Sequence, residues 1–333
     1  MRCTSPRTVG FKSDGRTIAW SQKHFSKEFA TFELPCGQCL ECRLEYARQW
    51  AVRCIHEAKM YEDNSFITLT YDDDHLKSPK LQYRDFQLFV MRLRSKIRAD
   101  VRASIGKANW CLLTEKEKKV EYEKRSIGIF VTGEYGDKNK RPHWHALLFN
   151  WRPRDCEYKY SNDRGDKVFS SKTLDALWPY GLAELGSVTF ESAGYCARYA
   201  AKKLSHGRDD EHDYHPISKK SSKHAIGKKF LEKFWPDIFN HGYIILQDGN
   251  KCSIPRYYEK WLSKHYPTEY SRYVTQVKQD KIEEASEKSQ RQQRLMDEQL
   301  ASRGYKPRAF SRNDARRKII ESKFKLLQSK QKL

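Results

Sequence analysis

Gly133-Glu134-Tyr135-Gly136, then Asp137 to Lys140, then Arg141-Pro142-His143-Trp144-His145 running into Ala146-Leu147-Leu148-Phe149, is the stretch on which the reading of this chain turns. Two histidines stand at i and i+2 with an apolar run directly behind them, which reads as a strand. Successive strand side chains point to opposite faces, so His143 and His145 share one face and Trp144 takes the other. Ile127-Gly128-Ile129-Phe130-Val131-Thr132 reads as a second strand leading into Glu134, and the pair forms a hairpin around loop 135–142. From the end of its strand Glu134 reaches the histidine face and completes a His-His-carboxylate set. Mixed nitrogen and oxygen ligands suit Mg²⁺ or Mn²⁺ held near a phosphate with positions left open. Zinc is less natural there, because no cysteine lies close in sequence.

Composition narrows the partner. The 333 residues carry 64 Lys+Arg against 43 Asp+Glu, a formal net charge of +21. Such an excess is the footprint of a polyanion, most simply nucleic acid. The 19 Tyr, 16 Phe and 8 Trp scattered among the basic residues favour unpaired bases, on which aromatic rings stack, over a membrane surface. The opening Met1-Arg2-Cys3-Thr4-Ser5-Pro6-Arg7 is polar and leads to no apolar segment, and no run is long enough to span a bilayer. The protein is therefore expected to act in the cytosol without a membrane partner. Nine cysteines in that setting point to a metal site or buried thiols, not a disulfide framework.

Working outward toward the N-terminus, residues 1–35 have weak periodicity and are expected to be largely loop. Pro35-Cys36-Gly37-Gln38-Cys39-Leu40-Glu41-Cys42-Arg43 then sets three cysteines at three-residue spacing, with Gly37 permitting a tight knuckle. Tetrahedral zinc wants four soft ligands, and C-x₂-C is its usual half-site. Cys3 is the natural fourth ligand and Cys54 the alternative. A structural zinc is favoured over reduced thiols at a helix start, with an iron–sulfur cluster as a lesser option.

Leu44 to Tyr61 has the apolar stripe of a helix, Phe66 to Tyr71 alternates as a strand, and a helix with a strongly basic outer face is expected from Ser78-Pro79. Residues 103–125 are poorly defined, and the chain is polar from Trp151 to Leu174. Ser187 to Phe190 reads as a strand, and Ser192 as the N-cap of a helix from Ala193 to Leu204. Basic residues recur at Lys219, Lys220, Lys223, Lys228 and Lys229. Phe230 to Phe239 reads as a short helix interrupted at Pro236, Gly242 to Pro255 as a hairpin turned at Asp248-Gly249, and Arg256 onward as another helix. From about Val277 a charged helical or disordered tail follows. This divides the chain into an N-terminal arm with its knuckle (1–43), a core (44–206), a basic accessory region with a hairpin (207–275) and the tail (276–333). The fold class is α+β, a central antiparallel sheet with flanking helices.

The helix after Ser192 carries a second chemical feature. Tyr195 and Tyr199 are spaced i,i+4, so their hydroxyls project from one face about a turn apart. A phenol with a pKa near 10 is a poor nucleophile at neutral pH. It becomes competent when the phosphate it attacks is polarised and cations stabilise its developing charge. Lys202 and Lys203, three and four residues past Tyr199, are placed for that role.

Taken together, Pro35 to Arg43, Phe66 to Tyr71, Gly133 to Gly136, Arg141 to His145, Tyr195 to Lys203 and Pro255-Arg256-Tyr257-Tyr258 resemble the HUH endonuclease superfamily of rolling-circle replication initiators, most closely the initiators of microviruses of the gokushovirus branch. The likeness covers residues 35 to about 262. It implies a palm-like antiparallel sheet with the metal histidines on a middle strand, Glu134 as third ligand, and the tyrosine helix beside them. It also implies a reaction: one tyrosine attacks a phosphodiester at a single-stranded DNA origin, forms a 5′-phosphotyrosine and frees a 3′-OH that primes synthesis. The second tyrosine attacks the regenerated origin and the displaced strand is closed. The cytoplasm of a bacterial host is the implied setting. The sequence contains no Gly-x₄-Gly-Lys-Ser/Thr phosphate loop, so helicase and polymerase are expected from the host.

Two rival readings stand beside it. A plasmid mobilisation relaxase would use the same chemistry for transfer, though the tyrosine-after-histidine order suits replication. A non-catalytic, zinc-stabilised nucleic-acid-binding regulator accounts for the charge and the cysteines but leaves the His143/His145 and Tyr195/Tyr199 pairs to chance.

Overall fold

The computed structural model describes residues 3, 5–136, 139–163, 165–202, 217–221, 225–306 and 311–331, with the side chains of 199–202, 312, 313 and 327–331 outside that description. The strands are β1 (Arg7–Phe11), β2 (Ile18–Ala19), β3 (Phe32–Leu34), β4 (Asn64–Thr70), β5 (Gly128–Tyr135), β6 (Pro142–Phe149), β7 (Glu157–Ser161), β8 (Lys167–Ser170), β9 (Ala183–Gly186), β10 (Ile217–Lys220), β11 (Ile244–Ile245) and β12 (Lys251–Cys252). The helices are α1 (Leu40–Ala58), α2 (Tyr83–Ile105), α3 (Lys107–Leu112), α4 (Glu115–Lys124), α5 (Lys172–Leu177), α6 (Phe190–Lys202), α7 (Lys228–His241), α8 (Arg256–His265), α9 (Pro267–Arg272), α10 (Gln279–Ala301) and α11 (Arg312–Gln331). None of the described helices is long and apolar enough to cross a membrane.

The chain forms two compact units. One comprises residues 47–238 and 243–261, the other residues 1–46, 239–242 and 262–333. The larger is built on a seven-stranded antiparallel sheet in the order β10-β5-β6-β4-β9-β8-β7. The α+β class and the central antiparallel sheet with flanking helices are as the sequence leads one to expect.

Alternation along the central strands gives the sheet two different faces. On one, Ile67, Leu69, Ile129, Val131, Trp144, Ala146 and Leu148 pack with Phe86, Phe89 and Leu93 of α2 and with Leu174, Leu177 and Trp178. The fully buried Phe86 and Phe89 rings each contribute about 1.5–3 kcal/mol by leaving water. Trp144 is wholly buried here, and its indole N–H donates to the Tyr71 hydroxyl at 3.0 Å, which in turn donates to Asp85 on α2 at 3.0 Å. A bulky residue between the two histidines is thus the anchor of the strand that carries them.

Gly133 sits directly across from Trp144 in the β5–β6 register. A Cβ at that position would stand 2.6 Å from the indole Cζ3 and 2.9 Å from Leu81 Cδ2. The first glycine of Gly-Glu-Tyr-Gly is therefore required by the tryptophan opposite, and it holds the neighbouring Glu134 in strand register.

Local signals misplace several elements. Residues 7–34, expected as loop, contain a three-stranded sheet in the order β2-β1-β3. The first long helix starts at Leu40 rather than Leu44 and ends at Ala58. The second starts at Tyr83, because the Ser78 hydroxyl accepts from the Lys80 amide in a turn that precedes it. Within the poorly defined 103–125, α4 is initiated by a capping box in which Thr114 and Glu117 exchange hydrogen bonds. Residues 187–189 are not strand: the strand is β9, and Thr189, not Ser192, caps α6. The Ser192 amide donates to Thr189 Oγ1 at 3.2 Å and the Thr189 amide to Ser192 Oγ at 2.8 Å. The polar stretch after Trp151 folds into the β7–β8 hairpin. Pro236 lies inside α7 without ending it.

Candidate active site

The opposite face of the sheet holds the polar cluster. Glu134 on β5 pairs directly with His143 on β6, while His145 is flanked by Thr132 on β5 and Thr68 on β4. Ligand atoms of Glu134, His143 and His145 all lie within 4.8 Å of one another. The Nε2 atoms of both imidazoles stand 2.9 Å from Glu134 Oε1. Glu134 and His145 are buried, at 2 % and 7 % exposure.

Each imidazole is held from behind. His143 Nδ1 lies 3.2 Å from the Arg141 carbonyl, so an Nδ1–H donates there and Nε2 turns to the cluster. Thr68 Oγ1 lies 3.0 Å from His145 Nδ1, and the Phe66 ring stacks on the His145 ring at 5.6 Å. Arg141 is itself tied down, with its guanidinium on Asp73 and on the Tyr71 carbonyl. The end of the hairpin is thereby fixed to the end of β4. Thr68 and Arg141 carry no sequence signal of this role, since both are remote from the cluster in local pattern and become neighbours through strand pairing.

The electrostatics of the cluster are those of a cation site. Burial pushes the Glu134 carboxyl up, but hydrogen bonds and charge from His143 and His145 outweigh it and hold the group well below the usual carboxylate range. Burial holds the His145 imidazole below its ordinary value, against the opposing pull of Glu134. Glu134 Oε2 is buried without a hydrogen-bond partner among the described residues, and His145 Nε2 lies off the hydrogen-bond direction of its near neighbour Oε1. Lone pairs that face one another across 2.9 Å need a proton or a cation between them, and a buried polar atom left unpartnered is costly. A carboxylate and two Nε2 atoms in this arrangement fit a divalent metal.

Helix α6 brings a phenol to the same point. Ala193, Cys196 and Ala197 are fully buried, and these small side chains let the helix approach β5 and β6 closely. The Tyr195 hydroxyl donates to Glu134 Oε1 at 2.5 Å, and its ring meets the His145 ring edge-on at 5.0 Å. Tyr199 and Lys202 lie farther along α6, with their side chains outside the described residues, and Lys203 and Lys223 are outside them altogether.

A second candidate metal group, remote in sequence from the first, is formed by Cys3, Cys36, Cys39 and Cys42 in the smaller unit. Cys54, the alternative fourth ligand, is instead buried in the larger unit.

A strand pair presenting two imidazoles and a carboxylate to a tyrosine helix, on a chain with a charge of +21, defines a protein built to work on a polyanion with a metal at hand. Comparison with known proteins agrees in detail. The family of replication-associated proteins typified by ORF2 matches residues 64–204. Replication-associated protein VP4 of Bdellovibrio phage phiMH2K is 45 % identical over 335 residues, spanning the whole of both chains. Replication-associated protein ORF4 of Chlamydia phage 1 is 30 % identical over 259 residues, 74 % of this chain and 59 % of its own. Replication-associated protein ORF2 of Spiroplasma virus 4 is 26 % identical over 302 residues, 85 % and 87 % of the two chains. No solved structure matches the chain. The chain belongs to the phage replication-associated proteins.

Proposed function

We propose that this protein initiates replication of a circular DNA by nicking one strand at the origin through a tyrosine and later rejoining the displaced strand. The observation that carries the reading is the Tyr195 hydroxyl, seated 2.5 Å from the carboxylate oxygen that both imidazoles face. A structural tyrosine would have no reason to end on that oxygen. Mg²⁺ or Mn²⁺ held by Glu134, His143 and His145 would polarise a non-bridging oxygen of the scissile phosphate.

The protein's own residues do the rest. Glu134 Oε1 holds the phenolic oxygen at the cluster. That oxygen attacks phosphorus, the bond to the 3′ oxygen breaks, and a 5′-phosphotyrosine and a 3′-OH result. The proton lost by the phenol balances the one gained by the departing oxygen. One phosphoester replaces another, so no nucleotide triphosphate is consumed. Lys202 and Lys203 stabilise the charge that develops in this exchange, and Tyr199 serves the second, rejoining transfer. The partner is single-stranded origin DNA, drawn in by the positive charge, and strand separation and synthesis fall to the host's helicase and polymerase in its cytoplasm.

The test is strand transfer. A single-stranded origin oligonucleotide and an unlabelled acceptor ending in the same 3′-OH are incubated with the protein and Mn²⁺. Joining of the labelled 5′ portion to the acceptor is expected. Fragments with free 5′-phosphates and no joined product would show a hydrolase and overturn the reading.

A further inference from the structure

The cysteine knuckle is not used by this chemistry, and its geometry is specific. Four thiolates at about 2.3 Å from one ion in a tetrahedron sit about 3.8 Å from each other. Cys3 Sγ and Cys39 Sγ are 3.8 Å apart, Cys36 Sγ and Cys42 Sγ are 4.0 Å apart, and all four sulfurs lie within 4.8 Å of one another. All four are free thiols. We propose that Cys3, Cys36, Cys39 and Cys42 hold one zinc ion as a closed tetrathiolate that ties the N-terminal arm to the start of α1.

The surrounding backbone is arranged for thiolates. The Cys36 amide points at Cys3 Sγ at 3.3 Å, and the amides of Gln38 and Cys39 point at Cys36 Sγ at 3.4 and 3.2 Å. These N–H groups bear on the negative charge that four metal-bound sulfurs carry. Gly37 takes a φ of +75°, which a side chain would resist, and so lets the chain turn back between the first two ligands. Cys42 falls in the first turn of α1, at the positive end of the helix dipole.

A second observation shows why such a tie is needed. Among the described residues, the β1–β3 sheet and its loops bury only Val9 and Ala19 as apolar side chains. A core that small does not hold a sheet in water, and small folds of this kind rely on disulfides or a metal. Sulfurs this close leave no room for a cube of iron and sulfide, so the site takes a single ion, and four thiolates with no open position make it structural rather than catalytic.

Metal analysis of the full-length protein, purified under reductant, tests this. About one zinc per chain is expected, falling to below about a tenth in Cys36→Ser and Cys42→Ser, and unchanged in Cys111→Ser and His143→Ala. Should the serine variants fail to fold, cobalt exchanged into the wild-type protein decides the matter through the intense sulfur-to-metal absorption of a tetrahedral tetrathiolate. Folded wild type without metal, zinc retained in Cys42→Ser, iron in place of zinc, or a cobalt spectrum of octahedral oxygen ligation would each overturn the proposal.

Discussion

The Tyr195 hydroxyl and the Glu134 carboxylate meet at 2.5 Å, although 61 residues separate them in sequence. One comes from a helix laid on the sheet, the other from a strand within it. The oxygen they share is also the one faced by His143 and His145. Glu134 is thus common to the metal set and the nucleophile, and most consequences of the proposed chemistry pass through it.

Glu134→Gln keeps the size of the side chain and removes its charge. Removing one preorganised group that acts on developing charge costs about 10²–10³ in rate, and a drop of that order in strand transfer is expected, with weaker Mn²⁺ binding by calorimetry. Transfer at the wild-type rate would remove Glu134 from the site.

Thr68 acts one step back. Its hydroxyl touches His145 Nδ1 at 3.0 Å, and valine has the same shape without the oxygen. Partners that orient a ligand imidazole are worth about 10–100-fold in metal affinity. Thr68→Val should lose Mn²⁺ affinity by about tenfold, and saturating Mn²⁺ should restore the strand-transfer rate. Loss of rate at all Mn²⁺ concentrations would point to a different role.

Gly133 and Trp144 are predicted to be coupled. Gly133→Ala forces a methyl group into the indole and should cost about 1–3 kcal/mol in urea unfolding. In a Trp144→Phe background the smaller ring leaves space for it, so the double change should cost less than the sum, by about 0.5 kcal/mol or more. Strict additivity would mean that the two do not share this packing.

His56 makes stability depend on acid. Its ring is buried, stacked on Phe230 at 3.9 Å and hydrogen-bonded to the Tyr258 hydroxyl at 2.9 Å. Burial, with a smaller push from Lys59, lowers its pKa from 6.5 to about 3. Between those values the unfolded chain binds a proton that the native chain refuses. The contribution is therefore complete above about pH 6.5 and is lost as pH falls toward 3, at up to about 1.4 kcal/mol per pH unit. His56→Gln should flatten the acid limb of the unfolding free energy measured by denaturant titration. An unchanged acid limb would assign it to other groups.

The parts legible in the sequence are those where one physical rule dominates. Alternation placed His143 and His145 on one face because β6 lies between two strands and is buried on both sides. Helical spacing put Tyr195 on a helix, though its distance from Glu134 depends on small residues at 193, 196 and 197 that carry no such signal. The β1–β3 sheet escaped detection because its strands are short and buried little, so pairing rather than periodicity holds them. β7 is exposed along its whole length and shows no alternation to read. Ser192 has the chemistry of an N-cap but sits at the third helical position, reciprocating Thr189, and local pattern does not distinguish the two places. Thr68 and Arg141 were invisible for a plainer reason: their roles exist only once β4, β5 and β6 are paired.

The central claim is a covalent bond between tyrosine and DNA. The most direct measurement is to incubate the protein with labelled single-stranded origin DNA and Mn²⁺, denature it, digest the retained adduct and locate the nucleotide by mass spectrometry. The account predicts a phosphonucleotide on Tyr195 or Tyr199, and no adduct from the Tyr195→Phe/Tyr199→Phe double variant despite retained DNA binding. Absence of any denaturation-resistant adduct with a cognate strand, or an adduct that survives the double change, would contradict it.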